Sequence, residues 1–165
     1  MIATEEGANS NTNFYREAAN KQIRLVLEGN GFQSDLLIGF REDATFGKDA
    51  GLDAIKLDGS HLSFYSMQED IKYAIQALPI PDKEYRLSLG YSASVEGDNS
   101  LIVKELINVP NLSFQLYDQL TDQYYALHEH IKIPFVSNTL SNQERYKLVI
   151  TPEQILTTES SIDEF

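Results

Sequence analysis

Apolar and polar residues alternate in short runs along most of the chain. In "QIRLVLEG" the side chains of Ile23, Leu25 and Leu27 fall on one face, and those of Arg24, Val26 and Glu28 on the other. A period of two marks a β-strand with one face in a core. "EYRLSLGYSAS" repeats it: Tyr85, Leu87, Leu89 and Tyr91 oppose Arg86, Ser88, Gly90 and Ser92. In "LSFQLYD", Leu112, Phe114 and Leu116 oppose Ser113, Gln115 and Tyr117. "SDLLIGFR", "DAIKLDG", "LSFYSM", "DIKYAIQALPIP", "SLIVKELINVP", "YYALHEHIKIPF" and "RYKLVIT" read as further strands, although "SMQEDIKYAI" has mixed periodicity and only its second half reads as strand. Turn residues punctuate them: Gly29-Asn30-Gly31, Pro79 and Pro81, Gly97-Asp98-Asn99, Pro110-Asn111, Asp118 to Asp122 and Ser137-Asn138.

Short strands at roughly 8–12 residue spacing predict an all-β fold, a two-sheet antiparallel β-sandwich of jelly-roll or immunoglobulin type with about nine or ten strands. The predicted core is Ile23, Leu25, Leu27, Leu36, Ile38, Ile75, Leu87, Leu89, Leu112, Phe114, Leu116, Leu148 and Ile150. Residues 1–20 are a polar lead-in, in which "NFYREAANKQ" has room for a helical turn or two. Residues 21–152 form the sandwich, and residues 153–165, where alternation fades after Pro152, read as an exposed linker.

Charge narrows the partners. With 25 acidic and 13 basic residues the formal net charge is −12. Scattered cations cannot neutralise a run of phosphates, so nucleic acid is not an expected partner. Neither is membrane insertion, because no apolar run approaches the ~20 residues of a membrane-spanning helix. The chain has no cysteine, which excludes disulfides, zinc–thiolate sites and thiol nucleophiles.

Candidate chemistry concentrates in "GFREDATFGKDAGLDAIKLDG", where Glu42, Asp43, Asp49, Asp53 and Asp58 lie among Gly47, Gly51 and Gly59. Aspartate and glycine here make turns, with carboxylates accepting from nearby backbone N–H groups. The alternative is a calcium ion held by Asp43, Asp49 and Asp53, although the spacing is not that of an EF-hand. His128 and His130 in "HEH" share a face if they lie on a strand, and a zinc site would still need His61 or a carboxylate as third ligand. An exposed strand edge is the other reading of that pair.

Nine tyrosines and eight phenylalanines, without tryptophan, mostly suit a strand-built core. Tyr124-Tyr125 nonetheless puts one ring outward on a strand, a ligand-binding candidate. No carboxylate is set apart in an apolar setting, and no Gly-x-Ser-x-Gly elbow or phosphate-binding loop occurs. No catalytic residue is therefore assigned, and the chain is not expected to be an enzyme.

The order of several short motifs carries a resemblance: Gly31-Phe32, Asp43-Ala44-Thr45, Gly47 to Ala54, Leu78-Pro79, Leu89-Gly90, and Leu116 to Thr121. Together they resemble a β-sandwich module of Bacteroidetes-type secreted proteins, over about residues 22 to 155. That module sits just before the C-terminal sorting domain of the type IX secretion system, and "ILTTESSIDEF" resembles the linker leading into that domain. The resemblance implies a non-catalytic structural or adhesion module of a larger protein, secreted or held at the cell surface. Its implied partners are neighbouring domains and the type IX machinery acting through a following domain; the alternative is a binding module for an extracellular glycan or protein, using loop residues or exposed tyrosines.

Overall fold

The computed structural model describes residues 21–57, 61–94, 96–137 and 141–153. Among them the regular structure is all β. The strands are β1 (Gln22–Gly29), β2 (Phe32–Phe40), β3 (Ala54–Ile55), β4 (Leu62–Gln68), β5 (Ile71–Leu78), β6 (Tyr85–Ala93), β7 (Gly97–Ile107), β8 (Leu112–Asp118), β9 (Gln123–Leu127), β10 (Lys132–Ser137) and β11 (Ser141–Pro152). The lead-in to residue 20, Asp58-Gly59, the Asn138 turn and the linker from 154 onward lie outside the described residues.

The strands join in one sheet, ordered β10-β7-β1-β2-β5-β4-β6-β11-β8-β9, with β3 added beside β5. The sheet is curled into a half-barrel. β2 and β8 stand five places apart, which in a flat sheet would separate them by about 24 Å. Yet the rings of Phe40 on β2 and Phe114 on β8 lie 6.0 Å apart. The two ends of the path, β9 and β10, are consecutive in sequence and joined only by residues 128–131.

Local sequence explains most of the turns. Asn30 and Gly31 have φ of 54° and 80°, the left-handed pair that suits a two-residue hairpin between β1 and β2. Gly29 is required for space: a Cβ there would lie 2.2 Å from the Asn99 side-chain oxygen on β7. The β4–β5 hairpin instead places Glu69 and Asp70 at φ 50° and 64°, a conformation uncommon for side-chain-bearing residues and tolerated better by aspartate than by glutamate.

One pair departs from the antiparallel expectation. β2 and β5 run parallel over Leu37–Ile75 to Phe40–Leu78, and the crossover between them carries the acidic segment, β3 and β4. Earlier in β2, at the β4 side, the buried Ser34 hydroxyl accepts from the Phe64 N–H at 2.9 Å and from Lys56 Nζ at 2.7 Å.

The parallel register also corrects the predicted core. Every residue assigned to it is buried except Ile75, which is 40% exposed. Leu36 and Ile38 point inward, so Ile75, opposite Leu37, faces outward, and Gln76, opposite Ile38, faces inward. Gln76 is fully buried and is satisfied there, accepting from Ser66 Oγ at 2.5 Å and donating to Gln68 Oε1 at 2.8 Å. A buried amide with both ends engaged avoids the cost of desolvated polar groups.

Candidate functional site

The acidic connection leaves β2 at Phe40 and enters β3 at Ala54, as its pattern predicts. Its carboxylates are engaged one by one. Arg41 donates from Nε and Nη2 to the two oxygens of Asp43, both at 2.7 Å. This fork holds the exposed Asp43 carboxyl below its ordinary pKa. Asp49 accepts from the Thr45 N–H at 2.7 Å and from Thr45 Oγ1 at 2.8 Å. Asp53 accepts from the Asp49 N–H at 2.7 Å and, through its other oxygen, from the Ala77 N–H of β5 at 2.8 Å.

Asp53 thus latches the loop to the sheet, and the Gln68 amide adds a second tie by donating to the Phe46 carbonyl. The loop covers Tyr73, whose phenol is held above its ordinary pKa by burial and by the carboxylates of Asp53, Glu69 and Asp49. Calcium needs six to eight oxygens turned toward one point. The structure does not bring Asp43, Asp49 and Asp53 together in that way: among the described residues no three acids or histidines are placed to share a metal ion. Turn formation accounts for them.

The histidine reading is corrected by backbone. β9 stops at Leu127, so His128 and His130 lie in the connection to β10, and the His130 N–H donates to the Val103 carbonyl with φ at 69°. They do not share a strand face. His61 is far along the chain from them and stacks on Phe32, with ring centroids 4.4 Å apart.

Tyr124 and Tyr125 divide as strand alternation requires. Tyr125 packs against the core, while Tyr124 is 47% exposed on the outer face. What the sequence did not announce is its company. Register places Ser88, Lys147, Tyr117 and Tyr124 in one row across β6, β11, β8 and β9. The Tyr117 and Tyr124 rings sit 4.5 Å apart. The Arg86 guanidinium lies 5.6 Å and 5.7 Å from their centroids, in cation–π range. Arg86 also donates to Glu84 at 2.9 Å and to the Tyr124 hydroxyl at 3.1 Å. These partners, Glu84 foremost, raise the Arg86 pKa, and the hydrogen bond from the Tyr117 hydroxyl to Asp122 at 2.9 Å raises that of Tyr117.

A groove of about 920 Å³ begins at Ala126, two residues from Tyr124 on the same face of β9; Glu84, Ser113, Gln115, Thr151 and Glu153 line it on the outer face, and the core side chains Leu112, Phe114 and Leu127 line it on the inner. It opens because β9 ends opposite Phe114, so Leu112 and Ser113 of β8 extend past the last β9 pair. Leu106 and Val109 form its far wall.

A family model described as a domain of unknown function, DUF8693, matches residues 3–150. The chain belongs to this family. No curated protein and no solved structure matches it.

This DUF8693 domain also holds a buried ion pair that its sequence does not advertise. β11 carries a bulge between Asn142 and Tyr146 against β6. From it, Arg145 Nε and Nη2 reach the two oxygens of Asp118 at 3.1 Å and 3.0 Å. The two side chains are 6% and 4% exposed. Burial is the largest single influence on Arg145 and opposes its charge, but Asp118, Tyr146 and Tyr91 together outweigh it, and the net direction of the Arg145 pKa is upward. Asp118 Oδ1 also accepts from the Leu120 N–H at 3.0 Å, which ties the β8–β9 turn to the same pair.

Proposed function

We propose that this domain is a non-catalytic structural and adhesion-type module of a larger exported protein, secreted or displayed at the cell surface. In this reading the two wings of the curled sheet act as the layers of a sandwich. The use of its acidic side chains supports it: Asp43, Asp49, Asp53 and Asp118 each fasten a turn, a loop or a buried arginine. A hydrolytic pair needs two available carboxyls facing one cleft; of the two that line the groove, Glu84 is already bonded to Arg86. The motif order resembling a type IX secretion module supports export, with neighbouring domains and the secretion machinery as its partners. Incubating the purified chain with chromogenic glycosides and esters tests the non-catalytic part. No turnover above buffer is expected, and turnover that disappears on substitution of one acid would overturn it.

A second reading, a glycan- or protein-binding module, is favoured by one observation. The exposed Tyr124 ring is part of an ordered cluster with Tyr117 and Arg86 instead of standing alone in solvent.

A further inference from the structure

We propose that the groove beside Tyr124 binds a neutral oligosaccharide; this rests on the binding reading just given. The platform and the groove are one surface. Tyr117 and Gln115 lie on the same face of β8, as do Tyr124 and Ala126 on β9, with Tyr117 paired to Tyr124 and Gln115 to Ala126. A ligand leaving the Tyr124 ring therefore passes over the small Ala126 and along Gln115 toward Thr151.

The lining sets the chemistry. Sugars offer apolar C–H faces, which stack on aromatic rings, and hydroxyls, which pair with planar amides, carboxylates and other hydroxyls. Tyr124, beside the groove, supplies the ring; Gln115, Ser113, Thr151 and Glu153 within it supply polar partners, and Leu112 and Leu127 an apolar floor. Charge argues for a neutral ligand. The Arg86 cation and the Glu84 carboxylate offset each other. The groove carboxylate of Glu153 and the net charge of −12 repel anions.

The test is calorimetric titration of the whole chain with neutral gluco-, xylo-, manno- and galacto-hexasaccharides, and with oligogalacturonate and heparin fragments as acidic counterparts. Binding to at least one neutral series is expected, with little change between low and high salt because the contact carries no net charge. Tyr124→Ala should weaken it roughly tenfold, the scale of one lost stacking contact. Gln115→Ala should weaken it several-fold. Tyr124→Phe, which keeps the ring and loses only the bond to Arg86, should stay within about twofold of the parent. Melting curves near that of the parent show that the variants fold.

Binding to a neutral sugar that Tyr124→Ala leaves unchanged would overturn this site while leaving the binding reading intact. So would a preference for the acidic fragments, or capture of a protein from cell-surface extracts in place of any sugar. If neither sugar nor protein binds, the binding reading itself fails with it.

Discussion

The Asp118–Arg145 pair permits a quantitative test of how this sheet is held together. Both side chains are almost fully buried, and two hydrogen bonds join them, so solvent does not screen the interaction as it would at the surface. Arg145→Met removes the cation and keeps most of the apolar stem. The Asp118 carboxylate would then be buried without its cation, still accepting from the Leu120 N–H. Leaving one member of a buried pair uncompensated costs about 3–5 kcal/mol.

For a folded unit of this size, each kcal/mol lowers the melting temperature by roughly 3–4 °C, so a fall of roughly 10–20 °C is expected. The double variant Asp118→Leu/Arg145→Met removes both charges and should recover most of the loss, because replacing a buried pair by apolar groups is often neutral. Urea unfolding of the parent, both single variants and the double variant gives the coupling energy directly. A loss below about 1 kcal/mol for Arg145→Met, or strictly additive losses in the double variant, would refute the assignment of this pair as a buried, mutually dependent unit.

Four other outcomes follow from the structure. Asp53→Ala strips the acceptor from the N–H groups of Asp49 and Ala77; a loss of about 2 kcal/mol is expected, with faster proteolytic cutting between residues 41 and 53, and unchanged cutting would refute the latch. Replacing Glu69-Asp70 by Asn-Gly should stabilise the domain by about 1 kcal/mol in chemical denaturation, since both positions have positive φ. Melting in millimolar calcium and in chelator should give the same midpoint, because a folded-state site would raise it and the three aspartates do not converge. Lys56 is half-buried, and that burial lowers its pKa from 10.5, with Asp35 opposing. Its methyl-lysine NMR signal should titrate below those of exposed lysines. The unfolded chain then binds the extra proton between the lowered value and 10.5, so Lys56 makes stability rise with pH across that window.

Much of the fold was legible because alternation is a local property. Strand faces around Leu25, Leu89 and Leu116, the limits of the acidic connection and the division of Tyr124 and Tyr125 between two faces all follow from period two; which of the two rings points outward does not. Ile75 misled because its neighbours Leu37 and Gln76 set its direction, and the parallel pairing that brings them together has no local signature. The β4–β5 hairpin turns on Glu69-Asp70, without the glycine or asparagine that marks such turns. His128 and His130 looked like strand because the strand pattern on either side of them is strong. The Arg86 cluster was only half visible. Tyr117 and Arg86 each read as outward, but that β11 would lie between β6 and β8 and put them on one face depends on contacts far apart in sequence.

That position of β11 also constrains when the domain can form. The last strand is inserted between β6 and β8, and the first, β1, between β2 and β7. As the chain emerges from the ribosome, β6 and β8 must each wait with an open edge for a twelve-residue strand still to be made. Such non-local pairing folds slowly, and exposed edges invite the wrong neighbour in the meantime. The domain therefore stays unfinished until almost its whole length has been made, an interval in which it is open to chaperones and to any export route that takes unfolded chains.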